Sequence, residues 1–188
     1  MAIAAKSFLE QGYSATSMSA IASAVGGSKA TLWSYFPSKE ALFATVLETA
    51  TSAYHAELTS LFDGGGDLET TLRRFCLSFV AKITSPTAIA LHRLVHAESG
   101  RFPEVGRIYY ERAPKAANTL IAAFLSAAMD RGQMRRVDPA RAARTLASLC
   151  MSGMYQQVLL GLIDTPTPEL VREEAEAAMD VFLRAYAT

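Results

Sequence analysis

Cysteine is scarce in this chain, with only Cys76 and Cys150 among 188 residues. There is no C-x-x-C pair and no His/Cys ligand spacing, so neither a disulfide framework nor a structural zinc module is expected, and no metal. Both cysteines lie in apolar helical runs and read as buried thiols in a reducing compartment; a redox switch would need them exposed or adjacent. Net charge is absent too, since 18 basic residues balance 18 acidic ones, which argues against an indiscriminate nucleic-acid binder. No window approaches the roughly 18 uninterrupted apolar residues of a membrane span. Met1-Ala2-Ile3 has neither the charged nor the long apolar region of a signal peptide. A cytoplasmic protein with no membrane partner is expected. Alternating apolar patterns, βαβ units and internal repeats are missing, which leaves an all-α chain. The one glycine run, Asp63-Gly64-Gly65-Gly66-Asp67, follows no strand and precedes no Lys-Ser/Thr. It reads as a turn with Asp67 as a helix N-cap, not a phosphate loop. No Ser-His-Asp order, catalytic carboxylate pair or cofactor motif stands out, so neither an enzyme nor a cofactor is expected.

What is present is concentrated in SMSAIASAVGGSKATLWSYFPSKEAL, residues 17–42. Met18, Ile21, Ala22 and Val25 recur at helical spacing. Gly26-Gly27 breaks that helix, because glycine enters positive-φ turns without steric cost. Ser28 is placed to cap a second helix, Lys29 to Phe36, by accepting from a backbone N–H near Thr31. Leu32, Tyr35 and Phe36 mark its inner face; Lys29, Ala30, Thr31, Trp33 and Ser34 mark its outer one. Pro37 ends it, and Ser38 caps the helix that follows. Two helices joined by a short glycine turn form a helix-turn-helix, whose second helix enters the major groove of DNA. Thr31 suits a base edge or a thymine methyl, and Ala30 permits close approach. Lys29, Tyr35 and Lys39 can reach phosphates. Thr16 and Ser17 are helix caps or phosphate donors.

Residues 8–43 resemble the DNA-binding domain of the TetR family of transcriptional regulators. The match runs through F-x-x-x-G-Y-x-x-T-S-M, I-A, G-x-S-K-x-T-L and Y-F-x-S-K-E-x-L. The resemblance implies a DNA operator as partner. Two positions depart from the family pattern. Gly27 stands where an aliphatic is usual, implying a lost core contact and a looser turn. Trp33 stands where tyrosine is usual, and its indole N–H can still donate to phosphate. The family often carries a basic arm before its first helix; the sequence begins almost inside that helix, so the arm is expected to be either absent or cut away.

Along the chain, the first helix spans residues 2–11, with Ile3, Ala4, Phe8 and Leu9 inward and Gly12 as C-cap. A long helix from Ser38 to about Phe62 is expected to link the reader to the rest and carry motion. Leu68 to Thr84 and Thr87 to Ser99 follow. Pro103 opens a helix to Arg131, with a kink or break before Pro114. Asp138-Pro139 starts a helix to Leu162, and Thr167-Pro168 starts the last, ending near Tyr186. The count is nine. A three-helix helix-turn-helix domain is placed at residues 1–46, and a six-helix effector-binding and dimerisation bundle at 47–188.

The last two helices carry more apolar residues than one inward stripe needs. Val158, Leu159, Leu162, Val171, Ala175, Ala178, Met179 and Phe182 are therefore candidates for a homodimer interface, which would place two readers one DNA turn apart on a palindrome. The stretch 90–111, ALHRLVHAESGRFPEVGRIYYE, resembles the C-terminal domains of TetR/AcrR-type regulators of multidrug-efflux and stress genes through its L-x-R-L-x-x-x-E-x-x-R-F-P-E run. Its Arg93, Glu98 and Arg101 read as an ion-pair network at a helix end. The resemblance implies a small-molecule effector held in the bundle. Candidate contacts are Tyr54, Phe75, Phe79, His92, His96, Tyr109, Tyr110, Met151, Met154, Tyr155 and Gln156, each of which also reads as ordinary core or surface. The expected function is a DNA-binding regulator, a repressor released from its operator by a hydrophobic or aromatic effector. The alternative is an all-helical small-molecule sensor or carrier dimer that has lost specific DNA binding.

Overall fold

Helices follow one another from the first residues to the last in the computed structural model, which describes residues 1–64 and 66–188. They are α1 (Ala2–Ala15), α2 (Met18–Val25), α3 (Lys29–Tyr35), α4 (Lys39–Asp63), α5 (Leu68–Ile83), α6 (Pro86–Glu98), α7 (Pro103–Arg112), α8 (Pro114–Asp130), α9 (Pro139–Cys150), α10 (Met154–Leu159) and α11 (Pro168–Tyr186). No strand occurs among the described residues; Met134 and Ala187 form one isolated antiparallel bridge. The glycine turn is described except at Gly65, which lies outside the described residues.

Two of the nine expected helices are each divided, which gives eleven segments among the described residues, and the first helix runs on past Gly12 to Ala15 with a kink at that glycine, which the sequence placed as its end. The first division was expected. Proline lacks an N–H and clashes with the carbonyl four residues back, so α7 stops at Arg112 and α8 opens on Pro114. The second, at Met151-Ser152-Gly153, is hidden in sequence because the apolar pattern runs straight across it. Glu174 Oε2 accepts the Met154 backbone N–H at 3.3 Å there, and a Cβ on Gly153 would fall 2.6 Å from the same oxygen. The predicted caps are in place. The side chains of Ser17, Ser28, Ser38, Asp67, Asp138 and Thr167 accept backbone N–H groups in the first turns of α2, α3, α4, α5, α9 and α11.

The chain divides into two compact units. The first joins Met1–Tyr54 to Ala90–Lys115. The sequence boundary at residue 46 falls inside α4, and the unit holding the helix-turn-helix also takes in α7 and most of α6. Its core is aromatic at the centre. Phe8, Tyr13 and Phe43 meet with ring centres 5.1–5.8 Å apart, and Ile21, Leu42, Leu47, Leu94 and Val105 close around them. The edges depart from the expected stripes. Ile3 is exposed and Leu9 only half-buried. Val25 is exposed because Gly26, at φ 73°, turns the chain left-handed immediately after it. Gly27 keeps an ordinary φ, and a Cβ there would meet nothing within 4 Å, so the expected lost core contact is corrected: none is missing.

The second unit joins His55–Ile89 to Ala116–Thr188. Here α11 lies against α5 and α9. Phe62 stacks on Phe124 at 4.8 Å and tilts against Phe75 at 5.8 Å. Arg73 pairs with Glu69 and with Glu176 across to α11. The tail is pinned where the Arg135 N–H donates to the Tyr186 carbonyl at 2.9 Å. This packing corrects the dimer candidates. Val158, Ala175, Ala178, Met179 and Phe182 are buried within the chain's own unit, so their apolar stripe is the bundle core. Leu159 and Val171 are half-buried, and Leu162 is 73% exposed. The apolar side chains that face outward at this end are Leu160, Leu162 and Val181.

Candidate nucleic-acid interface

The helix-turn-helix is built from short elements whose ends are fixed. Gly26, left-handed, returns N–H bonds to the end of α2. Ser28 Oγ accepts the Thr31 N–H at 3.0 Å and pairs with Thr31 Oγ1 at 2.8 Å, which fixes the first turn of α3. Within α3 no residue is fully buried; Leu32 is half-buried and anchors it, with Phe36 just beyond. Lys29, Ala30, Thr31, Trp33 and Ser34 face solvent, as expected of a reader helix. Tyr35, expected on the inner face, is 75% exposed and joins them. Thr31 spends its hydroxyl on Ser28, and Ser34 Oγ donates to the Thr31 carbonyl at 2.7 Å, so both present preset polar atoms.

Two of the predicted phosphate donors are placed differently. Thr16 is buried, and its hydroxyl bonds the carbonyls of Gly12 at 2.7 Å and Ser7 at 3.0 Å. It ties α1 to the turn and offers no free hydroxyl at the surface. Lys39 also turns inward. Its Nζ donates to the Tyr13 carbonyl at 2.8 Å and the Thr16 carbonyl at 3.2 Å, 4.3 Å from the centre of the Tyr13 ring. Two of its three donors are thereby used. Ser17 stays exposed, and its Oγ caps α2 by accepting the Ala20 N–H at 3.1 Å. Burial, then the nearby Glu40 carboxylate, pushes the Tyr13 phenol up, so the ring under Lys39 stays neutral.

Comparison with known proteins bears on this geometry. Residues 1–46 match the model of bacterial regulatory proteins of the tetR family, and residues 70–188 match the C-terminal domain of AefR-like transcriptional repressors. The chain belongs to the TetR family of transcriptional regulators. Among solved structures, the flavonoid-responsive regulator FrrA is 39% identical, covering 99% of this chain and 94% of that one at a TM-score of 0.78. A TetR-family regulator from Mesorhizobium loti is 25% identical over 100% of this chain and 94% of its own, at a TM-score of 0.87. One from Pseudomonas syringae pv. tomato is also 25% identical, covering 99% and 94% at 0.78. No match was found among curated proteins.

In this TetR-family chain the predicted effector contacts fall into two groups. Tyr54, His92, His96, Tyr109 and Tyr110 belong to the first unit. His92 is buried and meets the Tyr109 ring edge-on at 5.7 Å; His96 and Tyr110 are exposed. Burial, then the neighbouring His96, pushes the His92 imidazole down to about 4, so it is neutral at pH 7. Phe75, Phe79, Met151, Met154, Tyr155 and Gln156 belong to the second unit. Phe75 and Phe79 stack at 5.4 Å, Phe75 and Met154 are packed core, and Gln156 is exposed. Burial pushes the Tyr155 phenol up. Among the described residues no three His, Cys, Asp or Glu side chains are grouped to hold a metal ion, and no single helix is long and apolar enough to cross a membrane. The two thiols are adjacent yet sealed from solvent. A hydrogen bond with Cys76, then burial, holds the Cys150 thiol far above the ordinary range, in its unreactive protonated form.

Sequence reasoning missed two features. One is a shallow groove of about 550 Å³ along α9, lined by Arg141, Arg144, Thr145, Ser148, Leu149 and Ser152. Its signal was the Arg141/Arg144 spacing on a helix otherwise read as apolar. The other is Glu98. Expected in an ion-pair network, it directs Oε1 to the Ser14 N–H at 3.1 Å and the Ser14 hydroxyl at 3.3 Å.

Proposed function

We propose that this regulator is a cytoplasmic homodimeric repressor that holds a palindromic operator and is released by a small aromatic effector. The observation that carries DNA reading is the outward face of α3. Of the eight residues from Ser28 to Tyr35 all but Leu32 are exposed, and the capped first turn presents them at a fixed height. A major groove is read by such a helix, with Thr31 and Ala30 toward bases and Lys29, Trp33, Ser34 and Tyr35 toward phosphates. Ser17 and the first N–H groups of α2 add donors at a helix N-terminus.

Residues 1–46 act as the reader and 47–188 as the effector-binding and dimerisation part in this reading. The dimer face is the outer side of the last helices, where Leu160, Leu162 and Val181 stand free, and not the buried stripe. The effector is sought first among flavonoids, because a 39% identical relative is described as flavonoid-responsive. It is contacted by a subset of the aromatic residues named above. Release is a population shift: an effector that binds the non-reading state more tightly lowers operator affinity by that difference, typically about 1–3 kcal/mol.

The test is a salt-dependent fluorescence-anisotropy titration against duplex from the protein's own promoter region, beside a scrambled duplex. Selective binding that weakens with salt is expected. Lys29→Ala is expected to lower the salt slope by about one, while Thr31→Val relaxes selectivity at one position. Equal, weak binding to both duplexes would favour the ligand-sensing reading without DNA. A flavonoid panel added to the complex then tests release.

A further inference from the structure

The R-F-P-E run that the reader's chemistry leaves unused has a place in the first unit. Glu98 ends α6, and its main-chain carbonyl accepts the N–H of Phe102 at 2.8 Å and of Arg101 at 3.0 Å. That tight turn sets Phe102 edge-on against Tyr13, with ring centres 5.6 Å apart. The Glu98 side chain reaches the next residue: Oε1 accepts both the backbone N–H and the hydroxyl of Ser14. The fit is close enough that a Cβ on Gly12 would fall 2.6 Å from the same oxygen. Residues Gly12–Ser14 are thus gripped by one carboxylate and one ring, both more than 80 positions away in sequence. Lys39 holds the same stretch through the Tyr13 and Thr16 carbonyls. The next residue is Ser17, the cap of α2.

We infer that Glu98 is a positioning residue for DNA binding: by holding the end of α1 beyond its kink at Gly12, just ahead of α2, it sets where the N-terminus of α2 meets the phosphate backbone. The inference rests on the DNA-reading role proposed above. It deepens that role by adding a residue outside the helix-turn-helix. The physical case is one of alternatives. Ser14 is exposed, so water could satisfy its donors, and a carboxylate is not needed to fold the turn. What the carboxylate adds over water is a fixed location, since one oxygen carried on the end of α6 takes both Ser14 donors, at 3.1 and 3.3 Å. Groups that contact phosphate gain affinity from being prepositioned, because less ordering is left to the binding step.

The experiment compares the full-length wild type with Glu98→Ala and Glu98→Gln, each verified as folded by circular dichroism, in the promoter-duplex titration and in amide hydrogen exchange at Ser14. Glu98→Ala is expected to weaken binding to operator and scrambled duplex alike by about tenfold, the scale of one lost charge-assisted hydrogen bond, and to speed Ser14 exchange. Glu98→Gln keeps the Oε1 acceptor and is expected to recover most of both. If Glu98→Ala fails to fold, Glu98→Gln against Glu98→Asp gives the same contrast, because aspartate keeps the charge and loses the reach. Wild-type binding that Glu98→Ala matches within twofold overturns the inference and leaves the DNA-reading role intact. A wild type that binds neither duplex overturns both.

Discussion

The two compact units use the same device at a helix break and use it differently. In the first, the Glu98 carboxylate sits over Gly12; in the second, the Glu174 carboxylate sits over Gly153, each 2.6 Å from where a Cβ would be. Gly12 is at φ 84°, ψ 168°, a region open essentially to glycine alone, and its carboxylate takes two donors from Ser14. Gly153 is at φ −125°, and its carboxylate takes one N–H from Met154. The difference shows what each break is for. The first fixes the end of α1 beyond its kink, next to the proposed reading surface, and glycine is demanded by backbone and by space. The second divides a helix inside a bundle, and there the φ is negative and the carboxylate fills the space a side chain would take.

The sharpest way to break that comparison is Gly12→Ala. It meets both the forbidden backbone region and the Glu98 oxygen, so a loss of about 3 kcal/mol is expected in urea denaturation. A loss below 1 kcal/mol would mean that this stretch relaxes and the grip on Ser14 is loose. The next effect is confined to the first unit. His92 titrates near 4 in the fold against 6.5 when free. A base whose folded pKa is lowered adds nothing above its unfolded value. Below about pH 6.5 the unfolded chain takes up a proton that the fold resists, so stability falls until about pH 4. Between pH 7 and 5 the expected loss is about 2 kcal/mol. His92→Gln should flatten that part of the pH profile, whereas an unchanged profile would mean that His92 accepts its proton without loss of structure.

Gly153→Ala comes third. The φ is negative and the clash is with the end of a flexible side chain, so the expected cost is smaller than at Gly12, about 1 kcal/mol, the scale of the hydrogen bond at Met154. The ratio of the two glycine substitutions is the informative quantity, because equal costs would erase the distinction between the two breaks.

Much of this was legible in the sequence, for identifiable reasons. Ser28, Ser38, Asp67, Asp138 and Thr167 could be named as caps because capping is local, a side-chain oxygen meeting an N–H two or three residues on. The break at Pro114 was visible because proline's defect is covalent. What escaped was non-local. Lys39 has the chemistry of a phosphate donor, and nothing within a few residues of it reveals that the carbonyl of Tyr13, 26 positions back, has taken it. Tyr35 falls on the inner face by period, yet a seven-residue helix anchored by Leu32 need not bury a third residue. The stripe on α11 was read as excess because its partners, α5 and α9, lie far off in sequence.

The smallest effect concerns the turn itself, where Gly26 and Gly27 look alike in sequence and differ in the fold. Gly26 is left-handed at φ 73°, and there any side chain is strained. Gly27 has an ordinary φ and open space around its would-be Cβ, so its glycine serves neither geometry nor packing. Its flexibility is then only a cost, paid by the unfolded chain's extra freedom. Gly27→Ala is expected to stabilise by about 0.5 kcal/mol and Gly26→Ala to destabilise by about 1 kcal/mol. Paired urea melts read both signs. A destabilising Gly27→Ala would show that the turn before α3 needs glycine at both positions, and that the family's usual aliphatic residue there belongs to a differently shaped turn.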